Sequence, residues 1–251
     1  MNLAVLGGAG YIGSHFVKAA LEKQHQVIVI DNLLTGHMAS VSKQAKFYQG
    51  DIRDKSFLDS VFATNKIDAV VHFAASSLVG ESMKDPMKYF DNNVGGTVSV
   101  LETMAKHDVK MIVFSSSAAT YGNHSVMPIT EDYPTIPTNP YGETKLMMEK
   151  MMHWAEEAHD IRYVSLRYFN VAGASSDATI GEDHRPETHL IPIVLQVPMG
   201  KRDYITVFGN DYKTFDGTCI RDYIHVEDLA DAHLKALDYL SQGGQSDVFN
   251  L

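Results

Sequence analysis

Apolar residues recur along the chain in short runs that are separated by longer stretches with helical spacing. The runs lie at residues 1–6, 27–30, 47–50, 67–73, 109–114 and 161–167. Short apolar runs bounded by polar residues predict strands that are buried on both faces, as in a parallel sheet. Because these strands alternate with predicted amphipathic helices, the pattern indicates an α/β fold with a doubly wound parallel sheet.

The regular alternation ends after the sixth predicted strand. The residues that follow predict a polar loop at 173–187, a short helix at 190–199 and a strand at 204–208. Residues 221–226 lead into a further helix. The last residues, 247–251, read as a strand with no closing turn, so we expect the natural protein to continue beyond them.

A glycine-rich turn joins the first strand to the first helix. Gly7, Gly10 and Gly13 have the spacing that permits a tight turn, close approach of a pyrophosphate and close packing of helix on strand. The helix N-terminus adds N–H groups and a dipole that favour negative charge. Asp31 ends the second strand, roughly 20 residues on, where a carboxylate can bind the ribose of NAD and repel the extra phosphate of NADP. A plain βαβ unit is the alternative.

The composition mainly excludes classes of protein and partner. The 251 residues suffice for one large domain or a domain with a smaller lobe, and the 45% hydrophobic fraction is ordinary for a globular protein. A net charge of −10 argues against a nucleic acid partner, because phosphate backbones bind basic surfaces. The single cysteine, Cys219, excludes an internal disulfide. Since no signal peptide or apolar stretch of membrane-helix length occurs, we expect a soluble cytoplasmic protein with no membrane partner.

Small and polar residues follow several strands. Residues 115–122 are rich in serine and follow the fifth strand, and Ala74 and Ala75 follow the fourth. The carboxyl ends of parallel strands form the edge at which doubly wound sheets bind ligands. Tyr141 and Lys145 are four residues apart in a predicted helix and therefore share one face. Such a pair is common on surfaces, but its place after this strand end favours a functional interpretation.

Other polar residues have structural interpretations. Asp51 either caps the helix after the third strand or lies near an adenine amino group. His72, in the fourth strand, is expected to be a core histidine and not a catalyst. Residues 86–107 predict a long helix, in which the paired amides Asn92 and Asn93 indicate close packing against another surface.

We expect no metal site in this chain. Glu182, Asp183, His184 and His189 are close together in the sequence, but their spacing matches no standard zinc cluster. The spacing favours a solvated loop.

With these motifs, the chain resembles the extended short-chain dehydrogenase/reductases, and within them the epimerases that act on UDP-hexoses. The resemblance extends over the whole chain. Its glycine turn is shared by the superfamily, whereas other matching segments are more specific to the epimerases. The matching segments are residues 166–170, 186–192, 208–212 and 216–226.

The resemblance implies a Rossmann-type NAD domain, a smaller α/β substrate lobe and a particular division of the chain. Residues 1–170 would form the NAD-binding domain, and residues 171–224 would form part of the sugar-nucleotide lobe. Residues 225–251 would supply a helix and a strand that return to the first domain. The resemblance also implies a homodimer that forms through the helices near residues 86–107 and 141–158.

The resemblance implies the residues of the site as well. The catalytic residues would be Tyr141, Lys145 and Ser117. NAD would contact Gly7, Gly10, Tyr11, Ile12, Gly13, Asp31, Asn32, Asp51, Ile52, Phe73, Ala74, Ala75, Asn92, Tyr141, Lys145 and Phe169. The UDP-hexose would contact Ser117, Tyr141, Asn170, Leu190, Phe208 and Arg221. Arg221 suits a diphosphate because its planar fork matches phosphate oxygens, although an ion pair with Asp222 is the plainer interpretation.

The implied reaction interconverts UDP-glucose and UDP-galactose by oxidation at carbon 4, rotation of the keto sugar and reduction on its other face. A related dehydratase would need an Asp-Glu pair just after Ser117, where this chain has Ala118 and Ala119. Another NAD-dependent nucleotide-sugar epimerase or decarboxylase is an alternative, as is a catalytically silent NAD-binding protein. Silent relatives often lack the tyrosine or the lysine, and both are present here.

Overall fold

Seven strands form one parallel sheet in the computed structural model, which describes residues 1–124 and 126–251. The sheet has the order β3-β2-β1-β4-β5-β6-β9. Its strands are β1 (Asn2–Leu6), β2 (Gln26–Asp31), β3 (Lys46–Gln49), β4 (Ala69–His72), β5 (Met111–Ser115), β6 (Arg162–Arg167) and β9 (Asp247–Asn250). Strand order reverses between β1 and β4, which is the arrangement of a doubly wound sheet. The predicted α/β class and the first six strands are confirmed.

Eight α-helices accompany the sheet in the described ranges. They are α1 (Tyr11–Glu22), α2 (Lys55–Thr64), α3 (Val79–Ser82), α4 (Pro86–Tyr89), α5 (Gly96–Lys106), α6 (Pro140–His159), α7 (Leu190–Gln196) and α8 (Val226–Ser241). Side chains of α2, α5 and α6 pack on one face of the sheet, and those of α1 and α8 pack on the other. None of the helices described is both long and apolar enough to cross a membrane.

The predicted helix over 86–107 forms, but it changes geometry in the middle. A π-helical turn, Phe90–Gly95, joins α4 to α5. A side chain at Gly96 would place its Cβ 2.5 Å from Ile52, so the helix approaches its neighbour closely there. The amides and glycines therefore mark close packing, and the π-turn re-aims Asn92 and Asn93 toward the sheet edge.

Two local predictions are wrong. Asp51 does not cap α2, because Asp54 occupies that position and accepts a hydrogen bond from the Phe57 N–H. Residues 204–208 do not form a strand, and their side chains are exposed, with Phe208 97% exposed. A strand needs backbone partners on a neighbouring strand, and the structure provides none for this segment among the residues it describes.

A second sheet has two strands. In it, β7 (Asn170–Ala172) pairs in parallel with β8 (Tyr223–His225), and Asn170 lies opposite Tyr223. Between these two strands, residues 173–189 form an irregular segment, as the polar composition predicts, and α7 follows them. After β8 the chain returns through α8, which packs on α1, to β9 beside β6.

Candidate active site

The residues predicted for catalysis and several of those predicted for NAD meet at one edge of the sheet. The carboxyl ends of β2, β1, β4, β5 and β6 are neighbours in that order, because all five strands run in the same direction. Asp31, the glycine turn, Ala74, Ser117 and Phe169 therefore follow one another along this edge. The edge includes the point between β1 and β4 where the strand order reverses, at which open α/β sheets bind ligands.

The glycine turn is held by contacts that leave no room for side chains. Gly7 has φ +78°, and a Cβ there would lie 2.6 Å from the Ala74 nitrogen. A Cβ on Gly13 would lie 2.2 Å from the Gly7 carbonyl oxygen. Gly10 is the N-cap of α1 and provides no capping side chain. The first N–H groups of α1 therefore remain available to an anion at the turn.

Asp31 is built into this turn. Its side chain is 8% exposed, and its two carboxylate oxygens accept hydrogen bonds from the Ala9 N–H at 3.0 Å and the Leu33 N–H at 2.8 Å. Each oxygen retains a lone pair for a hydroxyl donor. The carboxylate therefore fixes the turn and also presents negative charge beside it.

Asn32 and Asp51 continue the site on the β2–β3 side. Arg53 donates hydrogen bonds to both oxygens of Asp51, and Asn32 Nδ2 donates to Asp51 Oδ2 at 3.2 Å. These hydrogen bonds, with that from Arg53 first, hold the pKa of Asp51 well below its usual range. Ile52, next in the chain, is buried against Gly96. Asp51 thus acts as an anionic anchor for Arg53 and Asn32 in this structure.

Small residues after β4 form the floor of the edge, and an unpredicted amide supports them. Asn93 is fully buried; its Oδ1 accepts from the Ser76 N–H at 2.8 Å, and its Nδ2 donates to the Ser76 carbonyl and to Thr144 Oγ1. Asn93 therefore ties the loop that contains Phe73, Ala74 and Ala75 to helix α6. Its neighbour Asn92 donates to Asn93 Oδ1 at 2.9 Å. A buried amide inside a helix was the signal for this role.

Ser117, Tyr141 and Lys145 come together from β5 and α6. Ser117 follows β5 and is 8% exposed, while Asn139 caps α6 and Pro140 begins it, so Tyr141 lies in its first turn. Lys145 Nζ lies 5.8 Å from the centre of the Tyr141 ring and donates to the Ser115 carbonyl at 2.7 Å. The trio predicted from the sequence is therefore gathered in one place.

Burial acts on both titratable members of the trio. It raises the pKa of Tyr141 above its ordinary value, and a hydrogen bond with Ser117 opposes that rise. Burial lowers the pKa of Lys145 to about 7, and the charge of Glu149 opposes that fall. In the protein alone, desolvation is the larger of the two effects on the pKa of Tyr141.

The Lys145 pKa predicts a pH dependence of stability. The unfolded chain would hold this proton up to about pH 10.5 and the folded chain only to about pH 7. Between these values the unfolded state binds more protons, so the free energy of unfolding should rise with pH. We expect this rise in the wild type to exceed that in Lys145→Met, measured by urea unfolding from pH 7 upward. Lys150→Met, at an exposed position of α6, is the control. Equal slopes in wild type and Lys145→Met would contradict the assignment.

A buried ion pair behind the trio was not predicted. Glu149 and Arg167 are each 6% exposed at their side chains, and Arg167 donates to Glu149 Oε1 at 3.0 Å and Oε2 at 2.5 Å. Ser116 also donates to Glu149 Oε1. The pair joins α6 to β5 and β6 below Lys145. Its sequence signals were an acid four residues after Lys145 and an arginine ending a buried strand.

The predicted substrate residues are less gathered. Asn170 donates through Nδ2 to the Asp222 carbonyl at 2.9 Å, which joins β7 to the segment before β8. Leu190 begins α7 and is 56% exposed, and Phe208 is almost fully exposed. Arg221 is exposed and donates to the Ile220 carbonyl. The alternative interpretation of Arg221, an ion pair with Asp222, is wrong, since the described residues form none between these two side chains.

Tyr11 and Phe169, both predicted to contact NAD, lie at the start of α1 and just after β6. Tyr11 begins α1, and its hydroxyl donates to the Gly173 carbonyl at 2.6 Å. Phe169 follows β6 and is 43% exposed, whereas its neighbour Tyr168 is buried and hydrogen-bonds the Ser115 hydroxyl. Ile12 follows Tyr11 in the first turn of the helix.

Comparison with known proteins decides the family. Residues 3–251 match the profile of the NAD dependent epimerase/dehydratase family. The chain belongs to this family. A UDP-glucose 4-epimerase of Lacticaseibacillus casei is 60% identical over 251 residues, which are the whole of this chain and 76% of that protein. This member of the epimerase/dehydratase family therefore spans about three quarters of the length of that relative.

Solved structures agree with the fold of this epimerase/dehydratase. The UDP-glucose 4-epimerase of Brucella ovis in complex with NAD superposes with a TM-score of 0.97 at 48% identity, over the whole of this chain and 77% of that one. That of Bifidobacterium longum, in complex with NAD+ and UDP, gives 0.94 at 41% identity, over the whole of this chain and 78% of that one. The Rossmann-type sheet of this family member is thus shared with proteins known to bind NAD.

Proposed function

We propose that the chain interconverts UDP-glucose and UDP-galactose by inverting carbon 4 of the hexose, with NAD as a retained cofactor. The observation that carries this proposal is the meeting of Ser117, Tyr141 and Lys145 at the sheet edge that also bears the glycine turn. The relatives that are 60% identical to this chain are UDP-glucose 4-epimerases.

The edge of the sheet fits NAD by its own geometry. The pyrophosphate would lie on the N–H groups at the start of α1. It can approach them closely because Gly10 has no side chain. The carboxylate of Asp31 would accept the ribose hydroxyls and would repel a phosphate in their place. The remaining contacts would be those proposed from the sequence, from Tyr11 and Ile12 at the turn to Phe169 at the far strand.

When bound, NAD takes up and returns the hydride of carbon 4. Tyr141 would remove the proton of the 4-hydroxyl, with Ser117 donating a hydrogen bond to the same oxygen and relaying the proton. After the keto sugar has rotated, Tyr141 would return the proton to the new hydroxyl. General base catalysis is most efficient when the base titrates near the working pH.

Lys145 would bring Tyr141 to such a state. Its burial alone opposes the phenolate. A protonated Lys145 one turn away would favour it, and Lys145 can gain that proton near neutral pH because its own pKa is about 7. We infer that ionisation of Tyr141 and protonation of Lys145 are coupled, so that the tyrosine proton is lost most readily when the lysine is charged.

The smaller lobe would hold the UDP moiety. Arg221 is proposed to bind the diphosphate, with Asn170, Leu190 and Phe208 completing the pocket around it. The exposure of Phe208 and Arg221 leaves both side chains accessible to a ligand. The division at residues 1–170, 171–224 and 225–251 is retained in this proposal, because β7 and β8 form a sheet of their own while α8 and β9 lie on the main sheet.

Dehydration is disfavoured by the residues after Ser117. Ala118 is buried in the short 3₁₀ turn Ala118–Thr120, and Ala119 follows it. Neither alanine can donate or accept the protons that elimination of water requires. The intact trio likewise disfavours a silent NAD-binding protein.

The test is incubation of the purified chain with UDP-galactose and no added NAD. We expect UDP-glucose to form, and acid denaturation of the protein to release NAD and not NADP. Nucleotide release without UDP-glucose would contradict epimerisation and favour a silent NAD-binding protein. Release of NADP would contradict the role of Asp31.

A homodimer and a cytoplasmic location remain predictions. We infer a dimer through α4, α5 and α6 because they expose apolar side chains, among them Met87, Val98 and Trp154. Light scattering should give twice the mass of one chain, and a single-chain mass would contradict the dimer. A cytoplasmic location rests on the sequence argument alone.

A further inference from the structure

Four side chains between β7 and α7 converge in a way that their sequence spacing did not predict. Glu182, His184, Glu187 and His189, here called the Glu-His cluster, each offer a ligand atom, and these four atoms lie within 4.8 Å of one another. The group of acids and histidines that are close in the sequence contains Asp183 in place of Glu187. Folding turns Asp183 away to the His37 side and brings Glu187 in.

The separations within the Glu-His cluster suit a tetrahedral ion. His189 Nδ1 lies 2.8 Å from Glu182 Oε1 and 3.0 Å from Glu187 Oε1. His184 Nδ1 lies 3.1 Å from Glu182 Oε1 and 3.9 Å from Glu187 Oε2. A zinc ion with bonds of about 2.0–2.2 Å would hold its four ligand atoms about 3.3–3.6 Å apart. Small side-chain movements would therefore place one ion between all four.

Among the described residues, only the two histidines of the cluster can compensate the negative charge of the two carboxylates. The Glu182 and Glu187 side chains are 8% and 10% exposed, so the interpretation of this segment as a solvated loop is wrong for them. Within the described part of the chain, both carboxylates pair with the two histidines and with no lysine or arginine. Covered carboxylates without compensating charge are costly. A divalent cation would supply that charge at one point.

The hydrogen bonds of His189 and Glu187 also favour a metal ion in the cluster. His189 Nδ1 faces an oxygen of each carboxylate but carries at most one hydrogen, so it cannot donate well to both. Glu187 Oε1 is already fixed by the N–H groups of Thr188 at 2.7 Å and His189 at 2.8 Å. Such second contacts orient the carboxylate of a metal site in advance. Its Oε2 is the oxygen that remains free to approach an ion.

The Glu-His cluster lies against the glycine turn. The His184 ring packs edge-on to the Tyr11 ring, with 6.0 Å between their centres, and Tyr11 donates to the Gly173 carbonyl. His37, in the loop after β2, lies 2.8 Å through Nε2 from the Asp183 carbonyl oxygen. An ion in the cluster would therefore hold residues 173–189 in place over the start of α1.

We propose that the Glu-His cluster is a structural binding site for a divalent transition metal of the zinc class. Its ligands are the Nδ1 atoms of His184 and His189 and one oxygen each of Glu182 and Glu187. Two imidazoles and two carboxylates suit zinc better than calcium or magnesium, which prefer oxygen ligands alone. Four protein ligands fill a tetrahedral ion, so the metal takes no part in the proposed chemistry and acts by fixing the segment on the turn.

The test removes bound metal from the protein with a chelator and then measures zinc binding by titration calorimetry with Zn²⁺ alone. We expect one equivalent per chain in the wild type and a loss of more than about 100-fold in affinity in His184→Gln/His189→Gln. Zinc at a hundred times its Kd should raise the Tm of the wild type by about 5–10 °C. His153→Gln changes an exposed histidine of α6 and should bind zinc as the wild type does.

A second measurement uses a single variant, so that the test remains possible if the double variant does not fold. Glu182→Gln keeps the volume of the side chain and removes one ligand charge, and Co²⁺ added to it should give weaker visible bands than the tetrahedral bands expected for the wild type. Absence of stoichiometric binding in the wild type would overturn the proposal, as would unchanged affinity in both variants. These readouts need no sugar nucleotide, so failure of the metal site and failure of the proposed reaction can be told apart.

Discussion

Tyr141→Phe is expected to lower kcat for UDP-galactose about 10²–10⁴-fold while NAD stays bound. The change removes one oxygen and no carbon, so packing around the buried ring is preserved. Ser117 and Lys145 remain in place, since Lys145 is held by the Ser115 carbonyl and not by the tyrosine hydroxyl. What is lost is the group that accepts and returns the proton of the 4-hydroxyl.

The measurement is steady-state conversion of UDP-galactose, with the nucleotide content of each preparation determined after denaturation. Tyr239→Phe is the control, because Tyr239 lies on α8 away from the trio and is 40% exposed. It should turn over substrate at the wild-type rate. Turnover of Tyr141→Phe within a few-fold of the wild type would assign the base to another group.

Glu149→Met should lower the free energy of unfolding by about 3–5 kcal/mol. The variant keeps a side chain of similar length but leaves the Arg167 guanidinium buried without its carboxylate. Among the described residues, Arg167 then keeps only its stacking on the Tyr121 ring, 4.7 Å away, to offset desolvation. Removal of one partner of a buried pair is costly for this reason, even when the pair itself adds little.

Urea unfolding of a double-mutant cycle distinguishes this effect from loss of packing. Glu149→Met/Arg167→Met removes both charges and should recover most of the stability, because apolar replacements of a buried pair are often neutral. Glu157→Gln, at an exposed position of α6, should change stability by less than about 0.5 kcal/mol. A double variant no more stable than Glu149→Met would contradict the ion-pair explanation.

Local sequence signals were sufficient to predict those parts of the site that depend on backbone conformation. Gly7 and Gly13 have no room for a Cβ. Glycine at these positions therefore indicates the close backbone contacts of this turn. Asp31 was found because the second strand places it beside that turn. The β1–β6 strands were found because most of their residues are apolar, as burial in a sheet covered by helices requires.

Side-chain partners across the sequence were not readable in this way. Asn93 holds Ser76 and Thr144, and Glu149 holds Arg167; in each case the partners lie 17 or more residues apart. Residues 204–208 show the reverse error, since an alternating apolar pattern predicts a strand, yet pairing depends on a neighbour that the pattern does not reveal.

By itself, the sequence determined the α/β class, the glycine turn with Asp31 and the shared helix face of Tyr141 and Lys145, because each follows from local spacing and from the rule that parallel strands end at one edge. The catalytic trio with Ser117 came from the resemblance to the family. Only the tertiary structure decided the pKa of Lys145 and of Tyr141, the Glu149–Arg167 pair and the convergence of the Glu-His cluster. The physical reason is that desolvation and charge pairing depend on what surrounds a group in space, and those surroundings come from distant parts of the chain.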